Sequence, residues 1–123
     1  YFTGQKKVDE LPAYITAYDV CINPQMVNDI TDGNYPLKID EYLAMGKPTV
    51  ATSTHTMRHI FANHTHLATT PEEWLSAIDR AVTEADDKEL AKQRIAFAET
   101  HSWGHSVKKI YGIIDNFLKE KAT

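Results

Sequence analysis

Tyr35-Pro36-Leu37-Lys38-Ile39-Asp40-Glu41-Tyr42-Leu43-Ala44-Met45-Gly46-Lys47-Pro48-Thr49-Val50-Ala51 is the most telling run of the chain. It reads as a helix that opens at a proline, stops at a glycine and gives way at once to a buried strand. Pro36 suits a first helical turn, where its missing N–H is not needed. Gly46 suits the left-handed residue just past a helix end. Pro48 blocks any continuation. Lys38 and Glu41 are three apart and share one face of the opening turn. Free backbone N–H groups and a partial positive charge let a helix N-terminus hold a phosphate. A carboxylate one turn further in can accept two hydroxyl protons from a sugar. Pro36, Leu37, Lys38 and Glu41 are therefore a candidate grip on a nucleotide diphosphate.

Outward from this stretch, strands and helices alternate. Upstream, residues 9–18 form a short helix capped by Asp9, with Pro12 tolerated in its first turn. Val20-Cys21-Ile22 is a short apolar run, hence a buried strand. Residues 23–34 are polar and broken by Pro24 and Gly33, a loop. Downstream of the strand Thr49-Val50-Ala51, a short helix falls around Met57 to Phe61, and His66-Leu67-Ala68-Thr69 can be a third strand. Thr70-Pro71-Glu72-Glu73 is a strong helix start: Thr70 caps, Pro71 takes the first position and Glu73 closes a capping box. The helix that follows places Trp74, Leu75, Ile78, Ala81 and Val82 on one stripe. A further helix spans residues 87–99. Ser102 then caps a last helix carrying Trp103, Val107, Ile110, Tyr111, Ile114, Phe117 and Leu118 along one face. Short buried strands between helices argue for an α/β fold, a parallel sheet of βα units.

The bulk numbers narrow the function classes. At 123 residues the chain is one domain or part of one. Hydrophobic content of 42% and charged content of 24% are ordinary for a soluble globular protein. A net charge of −4, with no Lys/Arg cluster, argues against nucleic acid as a partner, since neutralising phosphates needs a basic face. The single cysteine, Cys21, cannot form an internal disulfide and reads as a small buried hydrophobe. The chain opens at Tyr1, and Phe2-Thr3-Gly4 reads as the tail of a strand whose body precedes it. A piece of a longer protein is the expectation.

The order Pro-Leu-Lys-Ile-x-Glu-Tyr-Leu-Ala-Met-Gly-Lys-Pro-x-Val-Ala resembles the donor-binding segment of retaining nucleotide-sugar glycosyltransferases of the group 1 type, which have two facing Rossmann-like domains. Phe2-Thr3-Gly4, Leu11-Pro12, Tyr14, Ala17-Tyr18-Asp19-Val20 and Asn23-Pro24 follow the family order before the motif, and Trp103 follows it at the end. The resemblance implies that residues 1–123 are the second half of the C-terminal, nucleotide-sugar-binding domain. The partial Rossmann-like domain would then be a three-stranded parallel sheet flanked by helices, its strands the fourth, fifth and sixth of the whole. It implies that Glu41 accepts hydrogen bonds from the two ribose hydroxyls of the donor, and that Lys38 and the amides of Leu37 and Lys38 face its phosphates. Many members carry another glutamate eight residues before the one matching Glu41, where it contacts the transferred sugar. Gly33 stands there in this chain, and its neighbour Asp32 is the candidate to substitute.

The function implied is transfer of a sugar from a nucleotide diphosphate sugar, such as a UDP-sugar, to an acceptor with retention, as in polysaccharide biosynthesis. Positive groups and helix-terminal amides would stabilise the departing diphosphate, with no metal or other cofactor. The acceptor, a glycan or lipid-linked sugar, would bind a domain outside this chain, and the chain alone would be inactive. The resemblance implies a cytoplasmic protein, or one peripheral at the inner face of a membrane. The alternative class is a non-catalytic α/β nucleotide- or protein-binding module that keeps the Glu41 motif for packing.

Other residues invite blander readings. Thr52, Ser53 and Thr54 follow a strand at the carboxyl edge where α/β sheets bind ligands, though loop hydroxyls there are as often caps. His55, His59, His64 and His66 fall close together, but a zinc site needs three or four converging ligands, and exposed loop histidines are the expectation. Trp74 and Trp103 read as core anchors. The strand Val20-Cys21-Ile22 should present an open edge, ready to pair with another chain or be covered by a neighbouring segment.

Overall fold

The computed structural model describes residues 1–122. Three strands, β1 (Cys21–Asn23), β2 (Thr49–Thr52) and β3 (His66–Ala68), form one parallel sheet in the order β1-β2-β3. Cys21, Ile22 and Asn23 pair with Thr49, Val50 and Ala51; Val50, Ala51 and Thr52 pair with His66, Leu67 and Ala68. The helices are α1 (Leu11–Thr16), α2 (Leu37–Ala44), α3 (Pro71–Thr83), α4 (Lys88–Glu99) and α5 (Trp103–Lys121), with a π-helical turn at Met57–Phe61. This is the α/β architecture expected from the alternation of apolar runs and capped helices.

The central strand shows why the sheet needs two helical layers. Successive side chains of a strand point to opposite faces. Val50 packs with Ala68, Ala77 and Ala81, under α3. Ala51 packs with Ile39, Leu43, Met57, Phe61 and Ala98, under α2, the π-helical turn and α4. Every residue of β2 is buried, as in parallel sheets covered on both faces.

Capping fixes the helix starts. Thr70 Oγ1 accepts from the Glu73 N–H while Glu73 accepts from the Thr70 N–H, the reciprocal pair expected at α3. Asp87 accepts from the amides of Glu89 and Leu90 at α4, and Ser102 from that of His105 at α5. Gly46 ends the α2 segment at φ +72, the left-handed conformation that glycine adopts at least cost.

Several expectations are corrected. Phe2-Thr3-Gly4 is not strand: Gly4 has φ +72, which extended backbone does not tolerate, and Tyr1 and Phe2 stand in solvent. Asp9 caps nothing; it sits inside a 3-10 turn, Val8–Glu10, where the Glu10 carboxylate accepts from the Lys7 N–H. In α3 the buried stripe runs through Ala77 and Ala81 with Trp74 and Ile78 beside it, while Leu75 and Val82 are exposed. Trp103 is no core anchor, being 89% exposed, and the apolar stripe of α5 is exposed along its length. A stripe states what gains from burial; it does not supply a surface to be buried against.

Candidate functional site

The helix of the opening motif is α2, but Pro36 is its cap rather than its first residue. Its φ −86 and ψ 92 are extended, so helical geometry begins at Leu37. No side chain caps this N-terminus among the described residues. The first amides of a helix have no carbonyl one turn back to bond, so those of Leu37 and Lys38 remain available. Pro36 is buried, which anchors the turn; Leu37, Lys38 and Glu41 are exposed. The chain therefore presents the opening of α2 to solvent while its far side, through Ile39 and Leu43, is locked in the core.

Lys38 and Glu41 line one cavity of about 620 Å³. Its other walls are β1 through Cys21 and Ile22, α1 through Tyr14 and Ile15, Tyr42, and the N-terminal segment through Thr3, Gly4 and Lys6. Lys38 and Glu41 form no ion pair with each other: the four ion pairs among the described residues are His66–Glu84, Lys92–Glu89, Arg94–Glu84 and His101–Asp40. A cation and a carboxylate thus face the same space with their charges uncommitted to one another. Cys21 lies in the cavity wall as a buried thiol, its pKa pushed up to about 11 by burial, with Lys47 opposing. Tyr42 is held above the ordinary phenol value by burial, then by the charges of Cys21 and Glu41.

Asp32 stands elsewhere. Its carboxylate accepts from the His55 N–H at 2.7 Å, and it lines a separate cavity with Val27, Asn28, Asp29, Gly33 and His55. The hydroxyls after β2 have local partners as well. Thr52 Oγ1 accepts from the Gln25 N–H at 2.8 Å and Thr54 Oγ1 from the Met57 N–H at 3.3 Å. Ser53 gives its carbonyl and hydroxyl oxygens to Arg58. None of the three lines the cavity of Lys38 and Glu41.

The histidines do not behave as one exposed loop cluster. His55 and His59 are exposed, with ring centroids 4.2 Å apart, as helical spacing allows. His64 is half-buried and stacks on Phe97 at 4.0 Å; its pKa is lowered by burial first, then by Arg94 and His101. His66 Nε2 is 2.9 Å from Glu84, which also pairs with the buried guanidinium of Arg94. Among the described residues no group of three or more His, Cys, Asp or Glu is placed to hold a metal.

One polar cluster was missed in sequence. Tyr35 Oη donates to Asp40 Oδ2 at 2.5 Å, and His101 Nδ1 lies 2.7 Å from Asp40 Oδ1. Sequence spacing could not reveal it, because His101 sits 61 positions from Asp40. The one available signal was an acid at position 40, in the first turn of α2, beside the motif's own carboxylate.

Among the described residues no helix is long and apolar enough to cross a membrane. No solved structure matches the chain. A Bacillus subtilis (strain 168) protein named "Putative teichuronic acid biosynthesis glycosyltransferase TuaH" is 27% identical over 112 residues, covering 89% of this chain. The chain spans 28% of that relative's length. The family described as Glycosyl transferases group 1 matches residues 1–84, which contain the whole α2 motif and all three strands. On that match, across most of its length, the chain belongs to the group 1 glycosyl transferases.

Proposed function

We propose that this chain is the donor-binding part of a glycosyltransferase that moves a sugar from a nucleotide diphosphate to an acceptor with retention. The observation that carries the reading is the pairing of Lys38 and Glu41 in one cavity beside the uncapped opening of α2. In this reading the amides of Leu37 and Lys38, with the Lys38 ammonium, take the diphosphate. Glu41, a turn further along, takes the two ribose hydroxyls. Pro36, buried, fixes the turn that presents those amides. Stabilising the departing diphosphate by cation and helix dipole is the electrostatic part of the chemistry. The acceptor, a glycan or lipid-linked sugar, and any acid or base would belong to a part of the protein outside residues 1–123. The relative's name, which refers to teichuronic acid biosynthesis, supports an acceptor of that biosynthetic kind. Asp32 lines a different cavity from Lys38 and Glu41, so no role in the donor grip is given to it.

Substitution tests the two roles separately. Glu41→Ala should weaken binding of UDP by roughly tenfold to a hundredfold, the about 1.5–3 kcal/mol of hydrogen bonds to a charged acceptor. It should weaken uridine equally, because the ribose contact is common to both. Lys38→Met should weaken UDP much more than uridine. Unchanged UDP affinity in a folded Glu41→Ala chain would remove the ribose role. Equal losses of UDP and uridine in Lys38→Met would remove the phosphate role.

A further inference from the structure

The opening turn of α2 is clamped from its far side. Tyr35 precedes the Pro36 cap and Asp40 lies in the first turn, so the two residues bracket the amides of Leu37 and Lys38. Their side chains join across the turn: the Tyr35 O–H donates to Asp40 at 2.5 Å. The second carboxylate oxygen of Asp40 lies 2.7 Å from His101 Nδ1. A carboxylate only accepts, so the ring nitrogen facing it carries the proton. His101 Nδ1 is also 3.2 Å from the Tyr35 hydroxyl, which closes a three-membered cluster.

The cluster is walled by aromatic rings. Tyr35 packs on Phe61 with centroids 5.5 Å apart, and His101 meets the edges of Phe61 and Phe97 at 5.7 and 4.7 Å. The His101 and Asp40 side chains are only 23% and 20% exposed. Burial, then the hydrogen bond to Asp40, hold the Tyr35 phenol well above its ordinary pKa, so its proton stays in place. Such a network in low-dielectric surroundings is stronger and more directional than the same bonds in water.

We propose that His101 is a positioning residue for the nucleotide site: through Asp40 and Tyr35 it sets where the amides of Leu37 and Lys38 point. His101 lies between α4 and α5, so the junction of the two last helices reports to the opening of α2. The Nδ1–H of its ring holds one oxygen of Asp40, and the other oxygen is held by Tyr35. The groups that face His101 are Asp40 of α2, Tyr35 before it and His64 after the π-helical turn; Arg94 of α4 acts on His64 in turn. The inference rests on the reading of α2 as the diphosphate site, but the coupling belongs to the unliganded chain and is tested there first.

The amide signals of Leu37 and Lys38 are followed by NMR without ligand in the wild-type chain and in two variants. His101→Phe keeps the ring against Phe61 and Phe97 but cannot donate to Asp40. It should displace both amide signals and weaken UDP by about threefold to tenfold, the scale of one such bond. His101→Asn can still donate to Asp40, so it should return both amide signals toward their wild-type positions and restore most of the affinity. Equal displacement by both variants overturns the proposal. If UDP fails to bind the wild-type chain while His101→Phe displaces both amides and His101→Asn returns them, the donor reading falls and the positioning role stands. If UDP binds and His101→Phe changes neither amides nor affinity, the positioning role falls and the donor reading stands.

Discussion

Glu41 and Cys21 show what a single residue's surroundings do to its chemistry. Glu41 is exposed at the rim of the cavity, with no ion-pair partner among the described residues, so its carboxylate is free to take hydroxyl protons. Cys21, in the same wall, is buried and its thiol is held neutral, with a pKa near 11 against the ordinary 9.0. The folded chain therefore holds the thiol proton more tightly than the unfolded chain. The stability this contributes is complete below about pH 9 and is lost as pH rises through about 11. The denaturation midpoint of the wild-type chain should fall more steeply over that window than that of Cys21→Ala. Parallel slopes would show that the thiol is not responsible. That Cys21 is buried was legible in its apolar neighbours Val20 and Ile22. The partners of Asp40 and His66 were not, because His101 and Glu84 reach them only once α4 has folded back against α2 and the chain has turned after α3.

At the scale of elements, α2 is the clearest case of local sequence writing local structure. Its proline entry and glycine exit follow from the motif alone; the burial of Ile39 and Leu43 came with the fold. The exit is more tightly constrained than a helix stop requires. A Cβ on Gly46 would meet Ala91 Cβ at 3.1 Å and Ile95 Cδ1 at 3.4 Å, and the residue's φ is left-handed. Arg94, buried in α4, also donates to the Gly46 carbonyl at 3.4 Å. Gly46→Ala should therefore destabilise the chain by about 1–3 kcal/mol, from the left-handed backbone and the crowding of α4 together. Urea unfolding measures this; a loss below about 0.5 kcal/mol would show that α4 moves aside freely. The π-helical turn was readable only as a short helix, since its wider hydrogen bonding leaves no mark in so brief a run. Pro36 was off by one position because proline fixes φ but leaves ψ open, and ψ decides where the helix begins.

For the whole molecule, a three-stranded parallel sheet covered by helices on both faces was legible from the alternation of apolar runs and capped helices. The β1 edge was legible too, and the exposure of α5 was not. The β1 edge is bordered by the cavity wall of Thr3, Gly4 and Lys6, and Ile22 is 49% exposed. Along α5, Trp103, Ile110, Tyr111, Ile113, Phe117 and Leu118 are all more than half exposed. Apolar area on this scale marks a surface that associates. The 123-residue chain should show an apparent mass that climbs with concentration in light scattering, and Ile110→Lys with Phe117→Lys should suppress the rise. A monomer at every concentration would mean that neither α5 nor the β1 edge is adhesive. The proposed donor site is tested most directly by where a nucleotide diphosphate lands. In an NMR titration with UDP or GDP, the signals of Leu37, Lys38 and Glu41 should move first and furthest. Shifts confined to residues 55–66, with the opening of α2 undisturbed, would contradict it.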